Sequence, residues 1–364
     1  MPQAKFTQAR ISGISTCTGP LSRTLEQDAQ ALALEPIQLE RLRNLVGIHS
    51  RHVAPPGVTT LDLCESAARC LLAGAGVAAD SLDAVVCVTQ TPDHWQPCNA
   101  NLLHGRLGLT KSAAAFDINQ GCSGWVYGLY LAYGMVQAGG CRRVLLLAGD
   151  TVTQTINPRD RAVVPLFGDA GTATLIERTG SEDSSWFSLH SDGKGHSAIC
   201  IPAGGHRLPS SAATAVEATD ADGNVRAPDD LFMNGIEVFN FTLREEPLAV
   251  RELLEFSGHA VESIDAFVFH QANRFILSNL AKRIKAPLEK VPWRTAERFG
   301  NQSSASVPAA ICDALGSQVS GRSLKVLCSG FGVGLSWASC VLSLGPLTHC
   351  SLHQYDQSSN AFPP

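Results

Sequence analysis

Apolar residues along this chain form two kinds of pattern, one helical and one continuous. Residues 61–75 carry apolar side chains at helical spacing, and a glycine follows as a helix stop. These positions are Leu61, Cys64, Ala68, Leu71 and Leu72. The next apolar run, DAVVCVTQ, is continuous, as in a strand that is buried on both faces. This alternation predicts an α/β architecture with parallel strands.

The same pattern occurs again at a fixed offset of 182 residues. Residues 61–86 and 243–268 align without a gap, and 11 of the 26 positions are identical, where chance would give roughly two. The Asn-Gln turns that begin at Asn119 and Asn301 keep the same offset. We infer two copies of one supersecondary unit that pack face to face about a pseudo-twofold axis.

The duplication divides the chain into two halves and a tail. The N-terminal half spans residues 1–180 and the C-terminal half spans residues 181–347. Residues 205–230 are polar and lack periodicity, which predicts a long surface loop. The polar tail, residues 348–364, is expected to fray.

Composition excludes several classes of function. Charged residues make up 17% of the chain, against about 25% in typical proteins, so much of the surface is expected to be buried in a core or against a second copy. A net charge of −5 gives no field that would attract nucleic acid. No apolar run is long enough to cross a membrane, and the start has no apolar segment typical of a signal peptide. The twelve scattered cysteines have no metal-ligand spacing, so we expect no metal, reduced thiols and a cytoplasmic location.

The two copies differ at positions that can carry chemistry. Cys122 begins an apolar helix, whereas the second copy has Ser304 at the matching place. A helix N-terminus favours a thiolate, so we expect the pKa of Cys122 to be lowered and its thiol to be nucleophilic. His270 ends an apolar strand where the first copy has Val88, and such strand ends point into the ligand crevice. Asn301 lies in the same turn as Cys122 but in the other copy, so the pseudo-symmetry predicts one shared pocket.

A glycine-rich turn follows the last predicted strand of the second copy. The segment GFGVGLSW, residues 330–337, superficially resembles a dinucleotide-binding loop. The following residues, LSWASCVLSL, have the pattern of a strand and not of a helix, so the dinucleotide interpretation fails. Backbone N–H groups of such a turn, next to a nucleophile, indicate an oxyanion hole.

These motifs resemble the β-ketoacyl-ACP synthase III family of thiolase-fold condensing enzymes. The similarity covers roughly residues 8–345, with the motifs in the family's order. The segments that carry it are DINQGCSGWVYGL, PLFGDAGTATLIE, FHQANRFI, FGNQSSASVPAA and GFGVGLSW. The resemblance implies a thiolase-like fold, in which two pseudo-symmetric α/β halves form an αβαβα layered structure.

The resemblance also implies roles for individual residues. Cys122 is implied as the acylated nucleophile, with His270 and Asn301 completing a catalytic triad. The backbone N–H groups of Cys122 and Val333 are implied as the oxyanion hole. Arg161 matches a position that helps to hold the nucleotide of coenzyme A. The basic residues implied to dock the acyl carrier protein are Lys282, Arg283 and Lys285.

The implied reaction has two half-reactions and needs no cofactor. An acyl group passes from an acyl-CoA or acyl-ACP thioester to Cys122. A malonyl thioester then loses CO₂ while His270 and Asn301 stabilise the negative charge on its thioester oxygen. The resulting carbanion attacks the acyl group and gives a β-ketoacyl thioester. The resemblance further implies a homodimer and a place in fatty acid biosynthesis or related lipid metabolism.

Two segments depart from the family's initiating enzymes. The stretch LERLRNLVGIHSRH lacks the tryptophan that those enzymes usually carry near the pocket mouth. In TPDHWQPCN, Gln96 replaces an aromatic residue that walls the partner's acyl pocket, and Trp95 stands one place earlier. We therefore expect a specialised relative whose acyl substrate is longer or more polar than a short unbranched primer.

Three other functions are compatible with parts of this pattern. The first is an acyltransferase that moves the acyl group to a hydroxyl or an amine without condensation. The second is a non-catalytic subunit of a synthase complex. A thiolase proper would need a second catalytic cysteine, but Cys328 and Cys340 lie within predicted strands. The retained Asn301 favours condensation.

Overall fold

The computed structural model describes residues 2–180 and 183–358. Its strands are β1 (Gln3–Phe6), β2 (Ala9–Thr18), β3 (Leu21–Thr24), β4 (Ser50–Val53), β5 (Ala84–Val88), β6 (Ala114–Ile118), β7 (Arg143–Asp150), β8 (Ala170–Arg178), β9 (Ser185–Ser191), β10 (Ile199–Cys200), β11 (Ala218–Thr219), β12 (Val225–Arg226), β13 (Phe232–Met233), β14 (Ala266–Phe269), β15 (Leu324–Gly332), β16 (Ser336–Leu344) and β17 (His349–Gln354). Its α-helices are α1 (Leu25–Ala31), α2 (Pro36–Val46), α3 (Thr60–Ala75), α4 (Asn99–Leu107), α5 (Gly124–Gln137), α6 (Gly235–Ser257), α7 (Arg274–Ile284), α8 (Arg294–Phe299), α9 (Ser306–Ala310) and α10 (Gly316–Gly321).

Two large sheets form the framework of the fold. One has the strand order β17-β2-β8-β7-β5-β6, and the other has the order β1-β9-β16-β15-β14. Strands β2, β8, β7 and β5 hold the same relative places in the first sheet as β9, β16, β15 and β14 hold in the second. Helices α3 and α6 precede β5 and β14, respectively. The duplication that the 182-residue offset predicts is therefore present in the structure.

The sheets are mixed, and the prediction of parallel strands is correct only for some of their pairs. Strand β5 pairs in parallel with β6 and β7, and β14 pairs in parallel with β15. Strands β7 and β8, and likewise β15 and β16, are antiparallel. The loop of residues 333–335 between β15 and β16 is too short for the crossover that a parallel connection requires.

The two halves exchange their terminal strands. Strand β1, at the N-terminus, pairs with β9 of the C-terminal half. Strand β17 pairs in parallel with β2 of the N-terminal half. The expectation of a frayed tail is therefore wrong for residues 349–354, because their backbone groups complete a sheet edge. Residues 359–364 of the tail, and residues 181–182 at the expected boundary between the halves, lie outside the described residues.

Helices and sheets form five layers. Helices α5 and α9 contact strands of both sheets and make the central layer. Helices α3 and α4 pack on the outer face of the first sheet, and α6 packs on the second, with α7 beside it. The central core includes the fully buried Trp125, Leu129, Tyr133 and Phe187, which explains why α5 is apolar on almost all sides.

Local signals set the ends of α3 and the position of the long loop. Thr59 caps the helix and forms a reciprocal capping box with Asp62, and Gly76 ends the helix with a left-handed φ of 65°. The predicted apolar face of α3 is buried.

Residues 205–230 are mostly exposed and contain only the short strands β11 and β12, which confirms the predicted surface loop.

Candidate active site

Cys122 lies in the turn between β6 and α5, against the end of β15. A methyl group built on Gly332 would stand 2.8 Å from both Cβ and Sγ of Cys122. One built on Gly121 would stand 2.4 Å from Cγ1 of Val333. Both glycines are therefore required by the close approach of β15 and its following loop to the thiol. Gly121 does not have a positive φ, so close packing is the reason for that glycine.

The Cys122 thiol is enclosed by protein, although the residue keeps some solvent exposure. Burial and the negative charge of Asp150 raise the pKa of Cys122 to about 11. Hydrogen bonds from the Ser303 side chain and from the Val333 N–H act in the opposite direction. The expectation of a lowered pKa is therefore wrong for the unliganded protein. Helix α5 begins only at Gly124, and its dipole does not outweigh dehydration and a buried carboxylate.

The two backbone N–H groups expected to form an oxyanion hole approach the same atom. The N–H of Val333 and the N–H of Cys122 both act to lower the pKa of the Cys122 thiol. The loop that carries Val333 is held by the Ser336 hydroxyl, which contacts the Val333 carbonyl at 2.9 Å and the Ser123 hydroxyl at 2.7 Å. These contacts join the β15–β16 loop to the start of α5. Two N–H donors are thus available beside Cys122 for the oxygen of an acyl group that is bonded to its sulfur.

His270 follows β14 directly and is almost fully buried. Its Nδ1 lies 2.6 Å from the Ser306 hydroxyl, and the Ser303 carbonyl accepts a hydrogen bond from the imidazole. The edge of the ring meets Phe331, with the ring centroids 5.4 Å apart. Burial lowers the pKa of His270 to about 3. The imidazole is therefore neutral throughout the physiological pH range.

Asn301 lies at a junction between the second Asn-Gln turn and the FGDAG segment. Its N–H donates to the Leu166 carbonyl at 2.8 Å, and its carbonyl accepts from the Gly168 N–H at 3.0 Å. Its side-chain Oδ1 accepts from the Ser303 N–H at 3.0 Å. Because Oδ1 is held in this way, the plane of the amide is set and its Nδ2H₂ group remains as a donor.

Ser303 contacts all three candidate catalytic residues. Its N–H donates to Asn301 Oδ1 at 3.0 Å, its side chain opposes the rise in the pKa of Cys122, and its carbonyl opposes the fall in the pKa of His270. The structure therefore brings the three residues together around one serine, although they lie far apart in the sequence. Sequence reasoning missed Ser303. The available signal was its place opposite Gly121 in the 182-residue offset.

Asp150 lies behind the thiol, at the end of β7. It accepts from the Ser304 hydroxyl at 2.7 Å and from the Gln90 N–H at 2.8 Å. Its burial is complete and raises the pKa of the carboxyl. The serine that replaces cysteine in the second copy thus binds this carboxylate, so the two matching positions have different tasks.

The expected acyl-pocket residues line an open cleft. Trp95 is 81% exposed, and with Gln96 it borders a cleft of about 1020 Å³. The lining is rich in polar side chains, including Gln90, His94 and Gln154. Gln90 connects the cleft to the nucleophile, because a methyl group on Gly121 would stand 2.6 Å from Gln90 Oε1.

The remaining expected site residues lie on the surface. Arg161 is partly exposed, and its guanidinium lies beside Gly223 of the long loop. Lys282 and Arg283 are exposed on the last turn of α7, and Lys285 ends that helix with a left-handed φ of 60°. These positions contribute positive charge at the surface.

The described part of the chain contains neither a metal-ligand cluster nor a membrane-spanning helix. Within residues 2–180 and 183–358, no group of three or more histidine, cysteine, aspartate or glutamate side chains is arranged to hold a metal ion. Over the same ranges, no helix is long and apolar enough to span a membrane. All the described cysteines are free.

Comparisons with known proteins agree with the geometry. A family model described as 3-oxoacyl-[acyl-carrier-protein (ACP)] synthase III matches residues 116–195, and the model of its C-terminal part matches residues 254–344. A putative 3-oxoacyl-[acyl-carrier-protein] synthase 3 of Campylobacter jejuni is 33% identical over 346 residues, which cover 95% of this chain and 96% of the relative. A β-ketoacyl-[acyl-carrier-protein] synthase III of Roseiflexus castenholzii is 36% identical over 305 residues, covering 83% of this chain and 89% of the relative.

Solved structures show the same similarity. A 3-oxoacyl-(acyl-carrier protein) synthase from Burkholderia xenovorans superposes with a TM-score of 0.91 at 37% identity, covering 97% of this chain and 99% of the other. A 3-oxoacyl-(acyl carrier protein) synthase III from Pseudomonas aeruginosa superposes with a TM-score of 0.78 at 28% identity, covering 93% and 98%. The layered α/β fold with two related halves is therefore the thiolase-like fold of these enzymes.

Proposed function

Because the chain belongs to the β-ketoacyl-ACP synthase III family, we propose that it is a transferase that joins an acyl group to a malonyl-derived unit by decarboxylative condensation. The observation that carries this proposal is the convergence of Cys122, His270 and Asn301 on Ser303. A nucleophile, a neutral imidazole and an amide are the groups that the two half-reactions require. The geometry favours neither the simple acyltransferase nor the non-catalytic subunit.

In the first half-reaction, the Cys122 sulfur attacks the carbonyl of an acyl-CoA or acyl-ACP thioester. A thiol with a pKa of about 11 is ionised in only about one molecule in ten thousand at pH 7. Deprotonation must therefore accompany attack, and His270, whose pKa is lowered to about 3, is too weak a base to hold the proton. The bond between the acyl carbon and the donor sulfur breaks, and the proton leaves with the released thiol. The oxyanion formed in between accepts from the N–H groups of Cys122 and Val333.

In the second half-reaction, a malonyl thioester loses CO₂ and leaves a carbanion. The negative charge spreads to the thioester oxygen, where the Asn301 amide and a ring N–H of His270 donate hydrogen bonds. The carbanion then attacks the acyl carbon on Cys122, and the Cys122 thiolate leaves. Ser306 can accept from Nδ1 of His270 or donate to it. It therefore supports the neutral tautomer that carries an Nε2–H for decarboxylation.

The test of this function separates the two half-reactions. Incubation with acyl-CoA should add one acyl mass to Cys122, and Cys122→Ala should abolish the adduct. Cys200→Ala, which removes another partly accessible thiol, is the matched control and should keep it. His270→Ala and Asn301→Ala should slow malonyl decarboxylation by ~10² to 10³, with a smaller effect of Asn301→Ala on acylation. An adduct on another cysteine, or equal loss of both steps in Asn301→Ala, would overturn the assignment.

Binding of the two substrates is proposed to use the surface arginines and lysines. Arg161 would hold the coenzyme A nucleotide, and Lys282, Arg283 and Lys285 would dock the acidic carrier protein. Arg161→Ala should raise KM for acyl-CoA. Reversing the charge of the three α7 residues should raise KM for the carrier protein alone. The exposed Arg251 on α6 provides the control for a reversed charge elsewhere.

We also propose that the acyl substrate is longer or more polar than acetyl. The cleft beside Gln96 has amide and imidazole side chains where the family's initiating enzymes carry an aromatic wall, and a hydrogen-bonding group on the acyl chain would find partners there. Acylation rates of Cys122 should be compared for acetyl-, octanoyl- and 3-hydroxybutyryl-CoA. Gln96→Phe should shift the preference toward acetyl-CoA. A wild-type preference for acetyl-CoA would contradict this proposal.

A homodimer is proposed from the open edge of the first sheet. Among the described strands, β6 pairs only with β5, and its residues 115–118 are only half-buried. An unpaired apolar edge of this kind is usually covered, and a second copy could pair with it about a twofold axis. Light scattering should give twice the chain mass of 38.6 kDa. A monomer at micromolar concentration would refute the dimer.

A further inference from the structure

Arg51 and Asp28 form an ion pair inside the protein, close to the second Asn-Gln turn. Arg51 lies on β4 and Asp28 lies on α1, and both residues are buried. The guanidinium binds the carboxylate through two hydrogen bonds, from Nε to Oδ2 at 2.6 Å and from Nη2 to Oδ1 at 2.7 Å. The cost of removing two charges from water largely offsets their attraction, so an apolar pair of similar size would be about as stable. The charges at this place therefore need a reason other than stability.

The remaining nitrogen of Arg51 reaches the segment that holds Asn301. Its Nη1 donates to the Phe167 carbonyl at 3.4 Å. Phe167 forms an isolated parallel bridge with Asn301, and its neighbours Leu166 and Gly168 make the two hydrogen bonds of that bridge, at 2.8 and 3.0 Å. Because successive carbonyls along an extended segment point in opposite directions, the Phe167 carbonyl points away from Asn301 and toward Arg51.

Arg51 also packs against the other segment of this bridge. Gly300, which precedes Asn301, has a left-handed φ of 77°. A methyl group built on Gly300 would stand 2.9 Å from Cβ of Arg51 and 2.9 Å from the backbone nitrogen of Gly168. Arg51 therefore contacts both segments of the bridge, one through its guanidinium and the other through the start of its side chain.

We propose that Arg51, oriented by Asp28, is a positioning residue for Asn301. A carboxylate that binds Nε and Nη2 fixes the plane of the guanidinium, and with it the direction of Nη1. The fixed Nη1 and the packing on Gly300 hold the bridge in place, and the Asn301 amide extends from that bridge. The inference rests on the proposed function, in which Asn301 donates to the thioester oxygen during decarboxylation and has little part in the acylation of Cys122.

The test removes the ion pair without leaving a buried charge. Asp28→Leu combined with Arg51→Met replaces both charges by apolar side chains of similar size, whereas Arg51→Lys keeps the charge and loses the planar fork. In both proteins malonyl decarboxylation should slow by ~10-fold, while acylation of Cys122 stays within about twofold of wild type. Arg143→Met combined with Glu177→Leu is the matched control. It removes an ion pair of 2.6 Å at the start of β7 and should leave both rates unchanged.

A second measurement distinguishes positioning from a structural role. Because Arg51 acts through Asn301, the apolar replacement of the pair should not slow decarboxylation further in a protein that already carries Asn301→Ala. If the replacement keeps the wild-type decarboxylation rate, slows both half-reactions equally, or adds its full loss to that of Asn301→Ala, the pair does not position Asn301 and the inference fails. If wild-type Cys122 is not acylated, or Asn301→Ala alone leaves decarboxylation unchanged, the proposed function fails and the inference fails with it.

Discussion

Glu246 gives the sharpest test of how burial controls ionisation in this protein. It lies on α6, is almost fully buried, and neither carboxylate oxygen has a hydrogen-bond partner. The nearby Ser329 hydroxyl lies 3.1 Å from the Ala338 carbonyl and 2.7 Å from the Ser339 hydroxyl. The Ser329 hydroxyl has one proton, and a hydrogen bond to one of these two neighbours uses it. Burial accordingly raises the pKa of Glu246 from 4.5 to about 8.

This shift makes the stability of the protein depend on pH. Between pH 4.5 and about 8 the folded protein keeps a proton on Glu246 that the unfolded chain has lost. The free energy of unfolding therefore falls as the pH rises through this range. Each pH unit costs at most ~1.4 kcal/mol, so the loss is ~3 kcal/mol at pH 7 and approaches ~5 kcal/mol above pH 8.

Substitution should remove this loss. Glu246→Leu has no ionisable group and places an apolar side chain of similar size in an apolar site, and Glu246→Gln removes only the charge. We expect both variants to be more stable than wild type at pH 8, with a difference of several kcal/mol. The leucine variant should gain most, because a buried amide without partners still costs ~1 to 3 kcal/mol.

Urea unfolding between pH 5 and pH 9 measures the effect directly. The difference between wild type and Glu246→Gln should be small at pH 5 and should grow with pH. Other buried carboxyls, such as Asp150 and Asp169, contribute to the absolute curve but cancel in this difference. Glu255→Gln, at an exposed position of the same helix, should show no such growth. A constant difference between wild type and Glu246→Gln across this range would refute the reasoning.

Three further predictions concern the site and the tail. Gly332→Ala should cut acylation of Cys122 by ~10²-fold while circular dichroism stays unchanged, because the new methyl group would stand 2.8 Å from the sulfur. Asp150→Asn removes a negative charge beside that sulfur, so the midpoint of Cys122 alkylation should move to lower pH; an upward shift would contradict the assigned cause. Truncation after Leu347 removes β17 and uncovers the edge of β2, so the urea midpoint should fall and aggregation measured by light scattering should rise.

Much of the fold was predictable because its signals are local. The apolar spacing of α3, the glycine that ends it and the continuous apolar run of β5 are properties of short segments. The fixed offset then showed that Cys122 and Asn301 lie in matching turns of the two copies. The position of His270 at a strand end placed its side chain at the same crevice. Pseudo-symmetry converts such local positions into proximity in space.

Strand β17 shows where local signals are insufficient. Its sequence, HCSLHQ, is polar and short, and nothing in it distinguishes a sheet edge from a loose tail. Its stability comes from partners far away along the chain. Ser351 contacts Ser15 at 3.0 Å, and His353 contacts Ser66 at 3.1 Å. Polar side chains form a strand here because α3 and β2 supply the hydrogen bonds.

The pKa of Cys122, the candidate nucleophile, depends entirely on the tertiary structure. From the sequence alone, Cys122 is a thiol at a helix start, and the helix dipole predicts a low pKa. In the structure the pKa is raised instead, to about 11, by burial and by Asp150, while Ser303 and Val333 oppose the rise. Periodicity and spacing identify Cys122 as the candidate nucleophile, because they depend on neighbours in the chain. The pKa of its sulfur is set by the combined effects of burial and of groups that only folding brings within a few ångströms.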